Sequence, residues 1–226
     1  MPGVDQFTKL LLHCDGTNGG TSFPESARGK SVSSANGLVT STTQKKFGTA
    51  SAAFGTSSGA IIMNDGGSPY TDLLAGSGDY TIDFWHWLQT AGHTEIMVDF
   101  RPLGGAGIFH TIYSNAGALT YHANSTNIIN GAAITAGQWN HVAVTRQGTN
   151  ARLFLNGTQT GGTQLDNLNY ATLNSQRPFF MNDSVSAVNA VTGFMDEIRI
   201  SIGVARWTAN FTPPAAPYSK SGGFWI

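Results

Sequence analysis

The sequence predicts an all-β fold, a two-sheet antiparallel sandwich in a single domain. Three observations predict it. Turn signals recur along the chain, in "DGTNGG", "NDGGSP", "GSGD", "SNAG", "QGTN" and "NGTQTGG", with short apolar or alternating runs between them. No amphipathic helix pattern longer than two turns interrupts them. Hydrophobic residues make up 40% of 226, enough to build a sizeable core at a length that suits one large sandwich.

The elements follow in order. "LLLHCDG" reads as a buried strand leading into a turn, with Cys14 as a small core hydrophobe; as the only cysteine it has no disulfide partner within the chain. "YTIDFWHWLQ" alternates, placing Asp83, Trp85, Trp87 and Gln89 on one face and Ile82, Phe84, His86 and Leu88 on the other. "EIMVDFR" puts Glu95, Met97, Asp99 and Arg101 on one face. "IFHTIYSNAGALTYH" is a hairpin, Ile108 to His122, whose loop brings Phe109, Thr111, Tyr113, Thr120 and His122 to one side. "WNHVAVTRQGTNARLFLNG" is a second hairpin, Trp139 to Gly157, with Val142, Val144, Leu153 and Leu155 alternating across "QGTN". "GFMDEIRIS" is the closing strand. Pro213, Pro214 and Pro217 end the sandwich, so the domain is expected over 1–218 with a tail at 219–226.

Charge narrows the function. The net charge is −1 and no basic patch exists, which excludes a nucleic-acid backbone as partner. No run approaches the ~20 apolar residues of a membrane-inserting helix. The N-terminus lacks the basic region and apolar core of a signal peptide. Charged residues are 11%, against roughly 25% in average soluble proteins, so the surface is solvated by hydroxyls and amides. That balance points to an extracellular or virion-surface setting.

Five segments, "LLLHCDG", "KFGTASAAF", "YTIDFWHWL", "QWNHVAVTRQGTNARLFLNG" and "GFMDEIRISIGVARWTANFTPP", together resemble the laminin G-like, concanavalin A-like lectin-glucanase jelly rolls, in that family's order and over nearly the whole chain. The resemblance implies a jelly-roll sandwich but no single function, because the fold hosts lectins, glucanases, adhesion modules and phage structural proteins.

Three functions are weighed. Catalytic relatives carry Glu-x-Asp-x-Glu on one strand, and this chain does not. Its nearest imitation, Glu95 and Asp99, lacks the central carboxylate; Arg101 on the same side is expected to lower the Asp99 pKa in a solvent-facing ion pair. A polysaccharide hydrolase or lyase with an atypical site therefore ranks third. A non-catalytic module binding a glycan or a cell-surface receptor ranks first, with Asp83, Trp85, Trp87, Tyr113 and His122 as ligand-binding candidates, since aromatic faces beside polar groups suit sugar rings. An alternative reading for all of these positions is plain packing under a loop. A virion, tail, matrix or adhesion component acting through protein assembly, with homo-oligomers, ranks second; the apolar end "GGFWI" is the feature behind it.

In "GFMDEIRIS" neighbours point to opposite faces, so Asp196 is expected with Phe194, Ile198 and Ile200, and Glu197 with Met195 and Arg199, pairing with Arg199 across the surface. The resemblance implies a structural calcium near the first and last strands, and the matching positions are Asp15 and Asp196. The alternative is that Asp15 caps its turn and Asp196 accepts backbone hydrogen bonds.

Overall fold

A computed structural model of the chain describes residues 3–54, 59–102, 107–124, 126–183 and 189–220. Alternating apolar runs form fifteen strands among them. The first eight are β1 Thr8–Leu12, β2 Val32–Ala35, β3 Val39–Ser41, β4 Ser51–Ala53, β5 Ala60–Met63, β6 Tyr80–Leu88, β7 Glu95–Asp99 and β8 His110–Asn115. The rest are β9 Ala118–Ala123, β10 Thr126–Ala133, β11 Trp139–Gln147, β12 Asn150–Leu155, β13 Thr158–Leu165, β14 Phe179–Phe180 and β15 Gly193–Ile202.

Two antiparallel sheets result. The eight-stranded sheet runs β13-β12-β11-β6-β15-β4-β3, with β1 also pairing β15; the seven-stranded sheet runs β10-β9-β8-β7-β14-β5-β2. This is the jelly-roll sandwich expected from the sequence. The central strands β6 and β11 are buried on both faces because a second layer covers the sheet's outer side. Inward residues Leu10, Leu12, Ile82, Phe84, Val142, Val144, Ile198 and Ile200 meet Met97, Val98, Ile112, Leu119 and Tyr121 of the other sheet in one core.

Both expected hairpins form, β8–β9 and β11–β12. The Asn156-Gly157 turn after β12 has both residues at positive φ, 52° and 78°. A Cβ at Gly157 would lie 2.0 Å from the Phe211 carbonyl oxygen, so glycine alone lets the C-terminal segment approach. That segment lies across the outer face of the eight-stranded sheet. Val204 and Trp207 accept hydrogen bonds from the Thr81 and Thr145 hydroxyls through their carbonyls, and Phe211 stacks on Trp207 at 4.1 Å. Tyr218 is buried, and Val4 N–H donates to the Ser219 carbonyl, which ties the two ends of the sandwich together. Of the expected tail, residues 221–226, including "GGFWI", lie outside the described residues.

Candidate functional site

The candidate ligand residues divide between the two sheets. Asp83, Trp85 and Trp87 lie on the outer face of β6, in the eight-stranded sheet, whereas Tyr113 and His122 belong to β8 and β9 in the other. They do not share a groove. Asp83 is fully buried under the C-terminal segment: Arg199 Nε donates to its Oδ1 at 2.9 Å, the Tyr218 hydroxyl to Oδ2, and His141 Nε2 stands 3.6 Å away. Burial raises its pKa, but Arg199, His141 and Tyr218 outweigh burial and hold it at about 2. Trp85 is buried against His141 at 5.0 Å and Phe47 at 6.1 Å, with Lys46 Nζ 3.9 Å above its ring. A carboxylate with every partner already supplied by its own chain takes no sugar hydroxyl, so Asp83 and Trp85 are removed as ligand residues. Trp87 is half-buried and contacts Trp139 edge-on at 5.9 Å.

The other group comes together. Thr94, Ile96, Arg101, Phe109, Thr111, Tyr113, His122 and Asn189 line a pocket of about 200 Å³ on the seven-stranded sheet. It is smaller than the ~300–1,000 Å³ of drug-sized ligand sites, which leaves room for one ring-sized group. β8 and β9 pair Thr111 with His122 and Tyr113 with Thr120, so alternation carries Phe109, Thr111, Tyr113 and His122 to the same side. Asn127 on β10 orders two of them: its Oδ1 accepts the Tyr113 hydroxyl at 2.8 Å and His122 Nδ1–H at 2.8 Å. That shared contact holds the Tyr113 hydroxyl and the His122 ring in fixed orientations at the pocket wall. Thr120 is buried beside them and stays outside the lining.

Sequence reasoning missed the charges behind this pocket. Asp99 is fully buried, not solvent-facing. Its Oδ1 accepts Arg101 N–H and the Thr111 hydroxyl at 3.0 Å each, and its Oδ2 accepts Arg101 Nη2 at 3.2 Å and Arg177 Nη1 at 3.0 Å. Burial raises the Asp99 pKa despite both arginines, against the lowering expected from Arg101. Arg177 also donates to the Asp183 carbonyl, and Asn189 Nδ2 to Asp183 Oδ2 at 3.4 Å. Glu95 does not accompany Asp99: a register shift between Ile96 and Val98 turns Glu95 inward, 3.5 Å from His86 of the facing sheet. No local sequence signal tied Arg177 or Asn189 to Asp99, because the link runs through sheet pairing.

A second register shift, between Asp196 and Arg199, alters the closing strand. Glu197 takes φ +51°; Met195 before it and Ile198 and Ile200 beyond it face the core, while Asp196 pairs with Trp85 and Arg199 with Asp83 on the outer side. Asp196 therefore parts from Ile198 and Ile200. Glu197 is buried and does not pair with Arg199; it meets His13 Nδ1 at 2.6 Å and accepts Tyr218 N–H at 2.8 Å. Asp196 accepts Lys46 N–H and Phe47 N–H on Oδ2, at 2.8 and 3.1 Å, and Glu197 N–H on Oδ1 at 2.8 Å. Burial pushes its pKa up to about 8, against the backbone hydrogen bonds from Phe47 and Lys46. Asp15 Oδ1 accepts Thr49 N–H at 2.5 Å and the Thr49 hydroxyl at 3.0 Å. The two aspartates thus hold opposite ends of the 46–49 loop. Among the described residues no group of three or more His, Cys, Asp or Glu side chains is placed to hold a metal.

Known proteins share this architecture. A family profile described as the concanavalin A-like lectin/glucanases superfamily matches residues 54–205. A search of curated proteins finds no match. Among solved structures, Trypanosoma rangeli sialidase in complex with 2,3-difluorosialic acid is similar at TM-score 0.65 and 11% identity, over 87% of this chain and 31% of the sialidase. The chain thus spans about a third of that enzyme's length. Domain 4 of AbnA, a GH43 extracellular arabinanase from Geobacillus stearothermophilus, in complex with arabinotriose, is similar at TM-score 0.64 and 16% identity, over 88% of this chain and 95% of that domain. The binding domain of Paraclostridial Mosquitocidal Protein 1 follows at TM-score 0.62 and 13% identity, over 88% of this chain and 49% of that one. Identities this low speak for the fold alone, which these structures put in enzymes and in binding domains alike. With two thirds of its length matched, the chain belongs to the concanavalin A-like lectin/glucanase superfamily.

Proposed function

We propose that this domain is a non-catalytic module that binds a glycan, free or on a cell-surface receptor, through the pocket on its seven-stranded sheet. The observation that carries the reading is the lining: Phe109, Tyr113 and Ile96 offer apolar and aromatic surface, and Thr94, Thr111, His122, Asn189 and Arg101 offer hydroxyl, imidazole, amide and guanidinium groups. Among the described residues none of the lining side chains is a carboxylate, and of those behind them Asp99 already accepts four hydrogen bonds while Asp183 holds Asn189, so the described lining supplies no acid/base pair for glycoside hydrolysis. The arabinotriose bound by the similar arabinanase domain agrees with the reading. The sparsely charged surface suits an extracellular or virion-surface setting.

The test is a glycan array followed by titration of the strongest hit against wild type and Tyr113→Ala. Tyr113→Ala is expected to weaken binding tenfold or more, about 1.4 kcal/mol. Undiminished binding by Tyr113→Ala, or no binding to any glycan, overturns the reading.

A second reading, assembly with further copies or with matrix proteins, is favoured by one observation. Trp139, Trp87 and Phe194 are register partners across β11, β6 and β15, and all three are half-buried on the outer face of the eight-stranded sheet. Light scattering on wild type and Trp87→Ser decides it: a dimer that Trp87→Ser dissociates supports assembly, and a wild-type monomer at high concentration removes it.

We further propose that Asp15 and Asp196 act as backbone caps of the 46–49 loop and do not fit a calcium ion. Three amide N–H groups already point at the Asp196 oxygens, where a cation would demand carbonyls and waters. Calcium added after chelation is expected to leave the melting temperature unchanged. A structural ion at about a thousand times its Kd would add ~4 kcal/mol, on the order of 10 °C in a chain this size, and a shift of that size lost in Asp196→Asn would restore the metal.

A further inference from the structure

Resting on the glycan-binding reading, we infer that the pocket selects a sugar bearing an acidic group, a carboxylate or a sulfate, and that Arg101 receives it. Among the described residues the lining contains one cation, Arg101, and no acid. The Arg101 side chain is 33% exposed, whereas its counter-ion Asp99 is buried beneath it. Among the described residues the guanidinium makes one hydrogen bond, Nη2 to Asp99 Oδ2 at 3.2 Å, with Asp183 Oδ2 as a looser ion-pair partner at 3.8 Å. Nor does Asp99 belong to Arg101 alone, because Arg177 holds the same oxygen at 3.0 Å. Asp99 and Asp183 thus face two arginines between them, and of the two arginines Arg101 is the one that lines the pocket.

Arg101 lies 6.0 Å from the Phe109 ring with Nε buried, so the donors left for a ligand are those of its two Nη groups, which form a fork. That fork matches two oxygens of one anionic group, and charge-assisted bonds are roughly twice as strong as neutral ones. Phe109 and Tyr113 then carry the ring while the His122 imidazole offers a hydrogen-bonding partner to a hydroxyl. Asp99 and Arg177 are positioning residues: they hold Arg101 and touch no ligand. The segments adjoining Arg101 and Asn189 in sequence, 103–106 (Leu-Gly-Gly-Ala) and 184–188 (Ser-Val-Ser-Ala-Val), contain no Asp or Glu to oppose an anion. With a net charge of −1 the molecule as a whole gives no long-range attraction, so the selection rests on this local contact.

The experiment measures binding of glucuronic acid against glucose, and of galacturonic acid against galactose, to the full chain by titration calorimetry and ligand-observed NMR. Each pair differs only in the group at C6. The acid is expected to bind about tenfold more tightly at low ionic strength, with the advantage shrinking in 0.5 M NaCl as the charge is screened. In Arg101→Gln the ratio of acid to neutral affinity should fall to about one, and in Arg101→Lys, which keeps the charge and loses the fork, to an intermediate value. Equal affinities in wild type, or an acid preference that survives Arg101→Gln, overturns the inference while leaving the pocket a glycan site. Failure of every sugar to bind, or sugar binding indifferent to Tyr113→Ala, overturns the glycan reading and this inference together.

Discussion

Asp83→Ala is expected to cost about 3–5 kcal/mol of folding stability, because it breaks a buried, hydrogen-bonded ion pair with Arg199 inside the outer layer. Both side chains are fully buried, joined at 2.9 Å, and the Tyr218 hydroxyl bonds to both. Removing Asp83 therefore also loosens the C-terminal segment that covers β6 and β11. Urea denaturation should show a lower midpoint; a loss under about 1 kcal/mol would mean that water reaches Arg199 and that the layer is not closed. Tyr218→Phe, which removes one hydroxyl and keeps the ring over Arg199 at 3.7 Å, is expected to cost about 1–2 kcal/mol.

The same pair sets an acid limb. Asp83 has its folded pKa lowered to about 2, against roughly 3.9 unfolded. A lowered carboxylate stabilises the fold at pH values above the unfolded pKa, and that stability is lost as pH falls through 4 towards 2. The contribution is about 2.5 kcal/mol. Stability measured from pH 5 to pH 2 should fall by about 2 kcal/mol more in wild type than in Asp83→Asn, and parallel curves would contradict the assignment.

Asp166→Ala is expected to be similarly damaging, by about 3–5 kcal/mol, for a different reason. Asp166 lies between the sheets, where it accepts the hydroxyls of Tyr80 at 3.2 Å, Tyr121 at 3.1 Å and Tyr170 at 3.0 Å, and stands 3.5 Å from Arg146 Nη1. Tyr80 belongs to one sheet and Tyr121 to the other, so one carboxylate ties the two layers. Burial raises both phenols' pKa well above the ordinary value, and it lowers His110, beside Tyr121 and Tyr170, to about 3. The Asp166–Arg146 salt bridge is therefore surrounded by phenols that burial keeps protonated. Arg146 keeps the carbonyls of Gly76, Gly78 and Leu168 in the variant, but no negative charge. Calorimetry should show a melting point lowered by ten degrees or so, while Tyr80→Phe, losing one hydroxyl, should cost about 1 kcal/mol. A small effect of Asp166→Ala would show that the tyrosines alone join the sheets.

Local chemistry made the strands and hairpins of this protein legible. Period-two alternation over 80–88 and 142–155 and glycine turns at 148 and 157 are properties of short segments, and they held in the folded chain. The same alternation grouped Phe109, Thr111, Tyr113 and His122, because no bulge falls between β8 and β9. It failed at Glu95–Asp99 and at Asp196–Arg199, where a one-residue shift turns every later side chain to the opposite face.

By itself, then, the sequence determined the class of fold, the family, the hairpins and one face of the pocket, since these depend on residues close together in the chain. The tertiary structure decided which strands share a sheet, and so separated Asp83 and Trp85 from Tyr113 and His122. It also decided which charges meet: Asp99 with Arg177, Asp83 with Arg199 and Tyr218, and Glu197 with His13. Such pairings span tens to hundreds of residues, and a buried charge takes whichever partner the packing brings within about 3 Å, whatever its neighbours in sequence.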